Sequence, residues 1–161
     1  MSFDFSSLIT DRTQADVSRV EQIAANMKAG TASEMELAEW NSASLKGSYN
    51  ATDFNRVGAA MQAVANRFNS FGYVVSVSPK VNWTETDVPN TAEIALYLSD
   101  LATLRGVLVV MRSTPVVPAD MDALTYEEAN NIEKILEDIN LLLTRCAQAW
   151  YYSEDVFSGE V

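Results

Sequence analysis

Carboxylates are the side chains of this sequence with the greatest capacity for chemistry. Asp and Glu number 22 against 11 Lys and Arg, while the chain has no histidine and one cysteine, Cys146. Two carboxylates that converge in a cleft can bind a divalent cation or perform general acid–base catalysis. Without histidine, the chain lacks the most frequent general base and the most frequent zinc ligand. The acidic segments are therefore the first place to look for a catalytic or metal site.

The first acidic segment, "NWTETDVPNTAE", covers residues 82–93 and holds Glu85, Asp87 and Glu93. A calcium loop would place oxygen ligands at alternating positions and a glycine at its sharp turn. This segment has neither feature. Asn90 followed by Glu93 is instead the pattern of a helix cap, so we predict a turn and the start of a helix.

The second acidic segment lies between residues 127 and 138. Glu133 and Glu137 are four residues apart, with Lys134 between them in sequence. This arrangement is typical of a solvated helix face, which is the structure we predict. The sequence also has no glycine-rich phosphate loop and nothing that would activate a serine or tyrosine nucleophile. We predict no catalytic residue, no cofactor, no metal site and no enzymatic activity.

Cys146 is a candidate nucleophile that the sequence argues against. A single cysteine excludes a disulfide within the chain. It lies in an apolar helical pattern, which predicts a small buried hydrophobic residue and not a reactive thiol.

Aromatic residues are the best candidates for binding. Trp40, Trp83 and Trp150 could stack on sugars, but tryptophans in separate segments are more often core residues or interface anchors. The C-terminal end is unusually aromatic, and two arrangements remain open: it folds back on the body, or it docks on another molecule. The predicted protein-interface residues are Trp83, Trp150, Tyr151, Tyr152 and Phe157.

The net charge of −11 restricts the partners. Such a surface repels the phosphates of nucleic acid and anionic lipid, so we expect neither a nucleic acid nor a membrane as partner. A basic protein would suit it better. The N-terminus has no signal-peptide pattern, and the longest apolar run, "GVLVVM" at 106–111, is too short to span a bilayer. We therefore expect synthesis in the cytoplasm without export by a signal.

Two helices are predicted in the N-terminal part. Thr13 followed by Asp16 predicts the start of the first, and Gly30 its end. "TASE" predicts that Thr31 caps the second, with Glu34 reaching back. The two helices should form a hairpin over residues 8–45.

The middle of the chain predicts two further helices and an extended segment. "NATD" places a cap at Asn50 or Thr52, and a narrow seam follows that is suited to the core or to a subunit interface. Near residues 73–80, β-branched residues alternate with others, which predicts a strand or extended segment. It could belong to a small β-ribbon or pair with a neighbouring subunit. The seam residues are Phe54, Val57, Met61, Val64 and Phe68.

The last predicted helix follows a linker in which Pro115 and Pro118 forbid helix. Thr125 and Glu128 have capping-box spacing. The whole pattern predicts a mainly α-helical single domain over residues 1–161. It would be a bundle of about five helices with a minor extended or β element. Its parts are the hairpin at 8–45, central helices within 50–111, and a C-terminal helix with an aromatic tail over 119–161.

Four stretches of the sequence resemble a known group of proteins. They are "LITDRTQADVSRV" at 8–20, "MELAEWNSASLKGSYNATDFNRV" at 35–57, "NWTETDVP" at 82–89 and "YYSEDVFSGEV" at 151–161. Together they resemble small proteins encoded among the tail and baseplate genes of prophages in clostridia-like gut bacteria. The resemblance implies a non-enzymatic virion structural protein that binds other virion proteins or further copies of itself. It carries no catalytic residues over to this chain.

Two other functions remain open at this point. The first is a cytoplasmic helical adaptor or tail-assembly chaperone, which acts during assembly and is not retained in the particle. The second is an enzyme that uses carboxylates, for which the sequence does not place two acidic groups in one cleft.

Overall fold

The computed structural model describes residues 3–42 and 45–157, with residues 150–157 described by their backbone alone. Within these ranges the chain is mainly helical, as predicted. A short 3-10 helix, Phe5–Ser7, precedes five α-helices. These are α1 (Gln14–Ala29), α2 (Glu34–Asn41), α3 (Ala51–Ser70), α4 (Thr91–Gly106) and α5 (Tyr126–Phe157).

Capping residues define the helix starts largely as the sequence predicts. α1, α3 and α4 begin after Thr13, Asn50 and Asn90, and each forms a reciprocal capping box with an acidic residue three positions later. At α5, the Thr125 hydroxyl accepts from the Glu128 backbone N–H at 3.2 Å. These local hydrogen bonds satisfy backbone donors that have no partner within the helix.

The prediction of the cap residue of α2 is wrong. Ser33, not Thr31, caps the helix, and Glu36, not Glu34, reaches back to it. The reason is that Thr31 belongs to the end of α1, where its N–H donates to the Asn26 carbonyl at 2.9 Å. Gly30 adopts the left-handed conformation (φ 69°) that lets the chain make this closing turn.

The core lies between α3, α4 and α5, with α3 packed against both of the others. All five residues of the predicted seam on α3 are buried, which confirms the core alternative for them. α4 and α5 bury apolar residues against the same cluster. They include Tyr97, Leu98, Leu101, Leu104, Ile132, Ile135, Leu136, Ile139 and Leu143.

The predicted hairpin is formed by α1 and α2, which pack against each other. Ile23 is the buried apolar residue of α1, whereas Met27 is exposed. The loop before α3 touches α1 so closely that a Cβ on Gly47 would lie 2.1 Å from the Asp16 carbonyl oxygen. This contact requires glycine. The description of the whole chain as one domain remains a prediction.

The segment at 73–80 is non-helical, and the described part of the chain has no β-strand. Its backbone polar groups bond to side chains instead of a second strand. The Asn69 amide bonds both the N–H and the carbonyl of Val75, at 2.9 and 3.0 Å. The Asp100 carboxylate accepts from the Ser78 N–H at 3.0 Å. Helix side chains therefore replace the β-partner that the sequence pattern suggests.

α5 differs from its prediction in two ways. Cys146 is exposed, not buried. It lies beyond Leu143, the last buried residue described on this helix. The backbone also stays helical through Phe157, so most of the predicted aromatic tail continues α5. None of the described helices is both long and apolar enough to cross a membrane.

Candidate functional site

A groove with a volume of about 430 Å³ opens between the C-terminal end of α2 and the first turn of α3. We call it the aromatic groove, because Trp40, Tyr49, Phe54 and Trp83 all line it. The carboxylates Glu85 and Asp87 also lie along it, together with small polar residues. It is therefore part apolar and part acidic.

The inner wall of the groove is a cluster of aromatic rings. Phe54 is buried at its centre and contacts Tyr49 edge to face at 5.0 Å between ring centroids. It also contacts Trp83 and Tyr97, each at 5.2 Å. Such contacts stabilise the cluster beyond the apolar area that they bury. The rings nearest the core are thus fixed by packing.

Two phenol groups of this wall bond to each other. The Tyr49 and Tyr97 hydroxyl oxygens lie 2.6 Å apart. Burial raises the pKa of both phenols above the usual range. Both groups therefore stay neutral at physiological pH and act as hydrogen-bonding wall residues, not as phenolate bases.

Trp83 is held in place from several sides. The side-chain amide of Asn55 accepts a hydrogen bond from the backbone N–H of Trp83 at 2.7 Å and donates one to the backbone carbonyl of Trp83 at 2.8 Å. The Lys80 ammonium lies 3.7 Å from the centre of its ring, a cation–π contact. Only 7% of Trp83 is exposed. Its predicted interface role remains a prediction, with little of its surface left uncovered by its own chain.

The acidic segment at 82–93 forms the predicted turn and helix cap. Asp87 accepts from the Thr84 N–H at 2.8 Å, and this backbone hydrogen bond lowers the pKa of the Asp87 carboxyl. Lys80 makes ion pairs of 3.6 Å with Asp87 and 3.7 Å with Glu93. Asp87 and Glu93 are therefore engaged within the chain.

Trp40 and Glu85 are among the groove residues that are exposed to solvent. Trp40, at the end of α2, is 39% exposed. Glu85 is exposed, and no ion pair joins it to another residue in the described part of the chain. An exposed indole and an exposed carboxylate in one groove are available to a ligand.

A buried charge network lies behind the groove. Arg12, from the segment before α1, donates to Asp53 at 2.8 Å and to Glu133 at 2.7 Å. Arg56 donates to both of the same carboxylates, at 2.8 Å in the case of Glu133. Two cations and two anions thus meet where the N-terminal segment, α3 and α5 come together.

The network is saturated with hydrogen bonds. The Ile9 N–H donates to Glu133 at 2.7 Å, and the Asn50 N–H donates to Asp53 at 2.9 Å. Arg12 also donates to the carbonyls of Ile9 and Lys46. Burial lowers the pKa of Arg56, but bonding to Glu133 and Asp53 outweighs it and raises the pKa. A saturated ion-pair network has a structural role and leaves no carboxylate free for acid–base chemistry.

This network overturns the prediction that Glu133 lies on a solvated helix face. Glu133 is fully buried, whereas Glu137 is half exposed and pairs with Lys134. The sequence does carry a signal for this. Glu133 lies four residues after Ala129 and three before Leu136, which places it inside the apolar stripe of α5. No comparable signal marks Arg12 as its partner.

The network also fixes one wall of the aromatic groove. Arg12 lies 5.6 Å from the centre of the Tyr49 ring, and Asp53 holds the cap residue Asn50. Both Tyr49 and Asn50 line the groove. Trp40 and Tyr49 were not predicted to be groove residues, because nothing in the local sequence indicates that they meet residues 83–89.

The remaining predicted interface residues cannot be placed in this groove. The side chains of Trp150, Tyr151, Tyr152 and Phe157 lie outside the described residues, although their backbone is helical. Among the described residues, no group of three or more Asp, Glu or Cys side chains is placed to hold a metal ion.

No protein-family model matches the chain, and neither a curated protein nor a solved structure matches it.

Proposed function

We propose that the protein is a non-enzymatic structural protein of a phage tail or baseplate, which acts through contacts with other virion proteins or with copies of itself. The sequence resemblance supplies the phage setting. The observation that carries the contact role is the apolar surface of α2. Leu37 and Trp40, three residues apart on one side of α2, are 40% and 39% exposed, and Met35, on the other side of the helix, is 74% exposed.

This surface has the character of an interaction site. α2 is a short helix whose buried residue is Glu36, not an apolar one. Its large apolar side chains lie outside the core cluster, and Trp40 among them lines the aromatic groove. Neighbouring apolar side chains that a chain leaves in solvent, as Leu37 and Trp40 are here, often mark a protein–protein contact, and Trp is enriched there.

The charged groups support a binding role over a catalytic one. Asp53 and Glu133 converge on the same two arginines, and both are neutralised by Arg12 and Arg56 away from solvent. The acidic residues of the groove, Glu85 and Asp87, are exposed, so they suit electrostatic recognition of a partner.

The first experiment is quantitative mass spectrometry of density-purified particles, released after prophage induction of the strain that carries this gene. We expect peptides of this chain at levels comparable to those of tail proteins. The major capsid protein and an abundant cytoplasmic enzyme serve as the positive and negative controls.

Absence from particles combined with abundance in the lysate would contradict the virion role. It would support the alternative function, a cytoplasmic adaptor or tail-assembly chaperone that leaves before the particle is complete. Absence from both fractions would contradict both functions.

A further inference from the structure

The charged residues that line the aromatic groove are all acidic. Glu85 and Asp87 lie along it, and none of the described residues that line it is Lys or Arg. The nearby cation, Lys80, is already bound to Trp83, Asp87 and Glu93. The whole chain carries a net charge of −11. A ligand that enters this groove meets aromatic rings and negative charge.

We propose that the aromatic groove binds a basic side chain of a protein partner, arginine in preference to lysine. This proposal rests on the proposed function, because it names the chemistry of the partner that the contact surface would recognise. The partner presents the arginine on an exposed segment, with the guanidinium over Trp40 and paired with Glu85.

The chain itself contains the same combination of groups in an occupied form. Lys80 lies 3.7 Å from the centre of the Trp83 ring and pairs with two carboxylates. Trp40 and Glu85 line the same groove, but neither has a cation of its own chain within ion-pair or cation–π distance in the described part. The part of the groove lined by Trp40 and Glu85 thus offers an aromatic ring and a carboxylate that no cation from the described part of the chain occupies.

Arginine suits these groups better than lysine. Its planar guanidinium stacks on an indole and keeps its N–H donors free for a carboxylate in the same plane. A volume of about 430 Å³ falls in the range of pockets that enclose small ligands, so it admits side chains and not a folded domain. The recognised element is therefore a short segment that inserts one basic residue.

The test uses the full-length protein and short dye-labelled Gly/Ser peptides, with binding measured by fluorescence anisotropy at low and at physiological salt. One peptide carries two arginines. The matched peptides carry two lysines, two glutamates, or two citrullines, which keep the shape of arginine without its charge. We expect binding in the order arginine, lysine, citrulline, with none for glutamate.

Two variants locate the site. Trp40→Ala should weaken arginine-peptide binding about fivefold, and Glu85→Gln about threefold. Glu21→Gln, an exposed carboxylate of α1, is the matched control and should change binding little. Because Trp40 and Glu85 are both exposed, we expect all variants to fold, which circular dichroism checks. Trp40→Phe keeps an aromatic face and should restore part of the affinity.

Three results would overturn the proposal. They are equal binding of the citrulline and arginine peptides, equal weakening by Glu21→Gln and Glu85→Gln, and no binding of the arginine peptide at low salt. The outcome is separate from that of the proposed function. A chain present in purified particles but unable to bind the arginine peptide would refute the groove proposal alone. Specific arginine binding by a chain absent from particles would refute the virion role alone.

Discussion

Glu133 and Glu137 lie one helical turn apart on α5 and meet opposite environments. Glu133 is fully buried and bonds Arg12, Arg56 and the Ile9 N–H, whereas Glu137 is half exposed and bonds Lys134 at 2.8 Å. A solvent-exposed ion pair adds little to the free energy of unfolding, because water competes for both charges. A buried charge that loses its ionic partner costs several kcal/mol. Replacing glutamate should therefore change the stability of the protein much more at position 133 than at position 137.

We predict that Glu133→Gln lowers the free energy of unfolding by about 3 kcal/mol, because it leaves Arg12 and Arg56 with one carboxylate between them. Urea denaturation followed by circular dichroism measures the change. Glu137→Gln is the control and should cost under about 1 kcal/mol. Similar losses for both variants would contradict the role assigned to the network.

Asp100 leads to a prediction about pH. Burial raises the pKa of its carboxyl, and a hydrogen bond from the Ser78 N–H only partly opposes this. Because its pKa is higher in the folded state than in the unfolded state, the ionised form is disfavoured by folding. Its contribution to stability is therefore greatest below the unfolded-state pKa and is lost as the pH rises through the folded-state pKa.

Asp100→Asn should remove this pH dependence while keeping an acceptor for the Ser78 N–H. We expect the variant to be more stable than the wild type at pH 7, and the difference to shrink as the pH falls towards about 4, near the usual aspartate pKa. Thermal unfolding across this pH range measures it, with the exposed Asp122→Asn as control. A variant that is less stable at pH 7 would show that the charge itself is needed.

At the scale of elements, the segment between α3 and α4 is fixed by side-chain amides. Asn69 bonds both backbone polar groups of Val75, and Asn55 bonds both of Trp83. Each asparagine presents one acceptor and one donor, as a neighbouring strand would. Pro79 and Val81 also lie close to Gly58 of α3, where an added Cβ would come within 2.9 Å of the Lys80 carbonyl oxygen. α3 therefore serves as the template for this segment.

We predict that Asn55→Ala destabilises the protein by about 2 kcal/mol, because the backbone of the buried Trp83 loses both of its hydrogen bonds to the Asn55 side chain. The amide of Trp83 should also exchange with deuterium faster, and the tryptophan emission should shift as the ring loosens. Asn66→Ala, on the exposed side of the same helix, is the control. Unchanged exchange at Trp83 in Asn55→Ala would mean that ring packing alone holds the segment.

At the scale of the whole molecule, the core and the C-terminal aromatic residues are separated along α5. The last buried residue described on this helix is Leu143, yet the helix continues to Phe157. The predicted interface residues Trp150 to Tyr152 lie beyond that point. Folding and association should therefore respond differently to a truncation.

We predict that deletion of residues 149–161 leaves a folded chain but removes self-association or partner binding. Circular dichroism and thermal unfolding test the first part, and analytical ultracentrifugation with pull-down of particle proteins tests the second. A deletion of the same length within α5 is no useful control, because it would remove core residues. The mild substitution Gln148→Ala, at an exposed position before the cut, serves instead. If association survives the truncation intact, the aromatic end is not the interface.

Local sequence patterns are sufficient to predict the five helices and most of their first residues. Capping boxes at Thr13, Asn50, Asn90 and Thr125 are local, and so is the apolar period of α3. Interactions within a few residues do not depend on the rest of the fold, so they can be read from the sequence. The exception was α2, where Thr31 was already used by the end of α1.

The places where charged groups and aromatic rings meet depend on how the helices pack in three dimensions. Arg12 and Glu133 are 121 residues apart, and Asn55 and Trp83 are 28 apart. Trp40 and Glu85 line one groove from separate segments. These partners are chosen by how the helices pack, because a side chain's neighbours across the core have no fixed spacing in sequence. The fold also reversed two predictions on α5: Glu133 is buried, as its place in the apolar stripe signals, and Cys146 is exposed beyond Leu143, the last buried residue described on that helix.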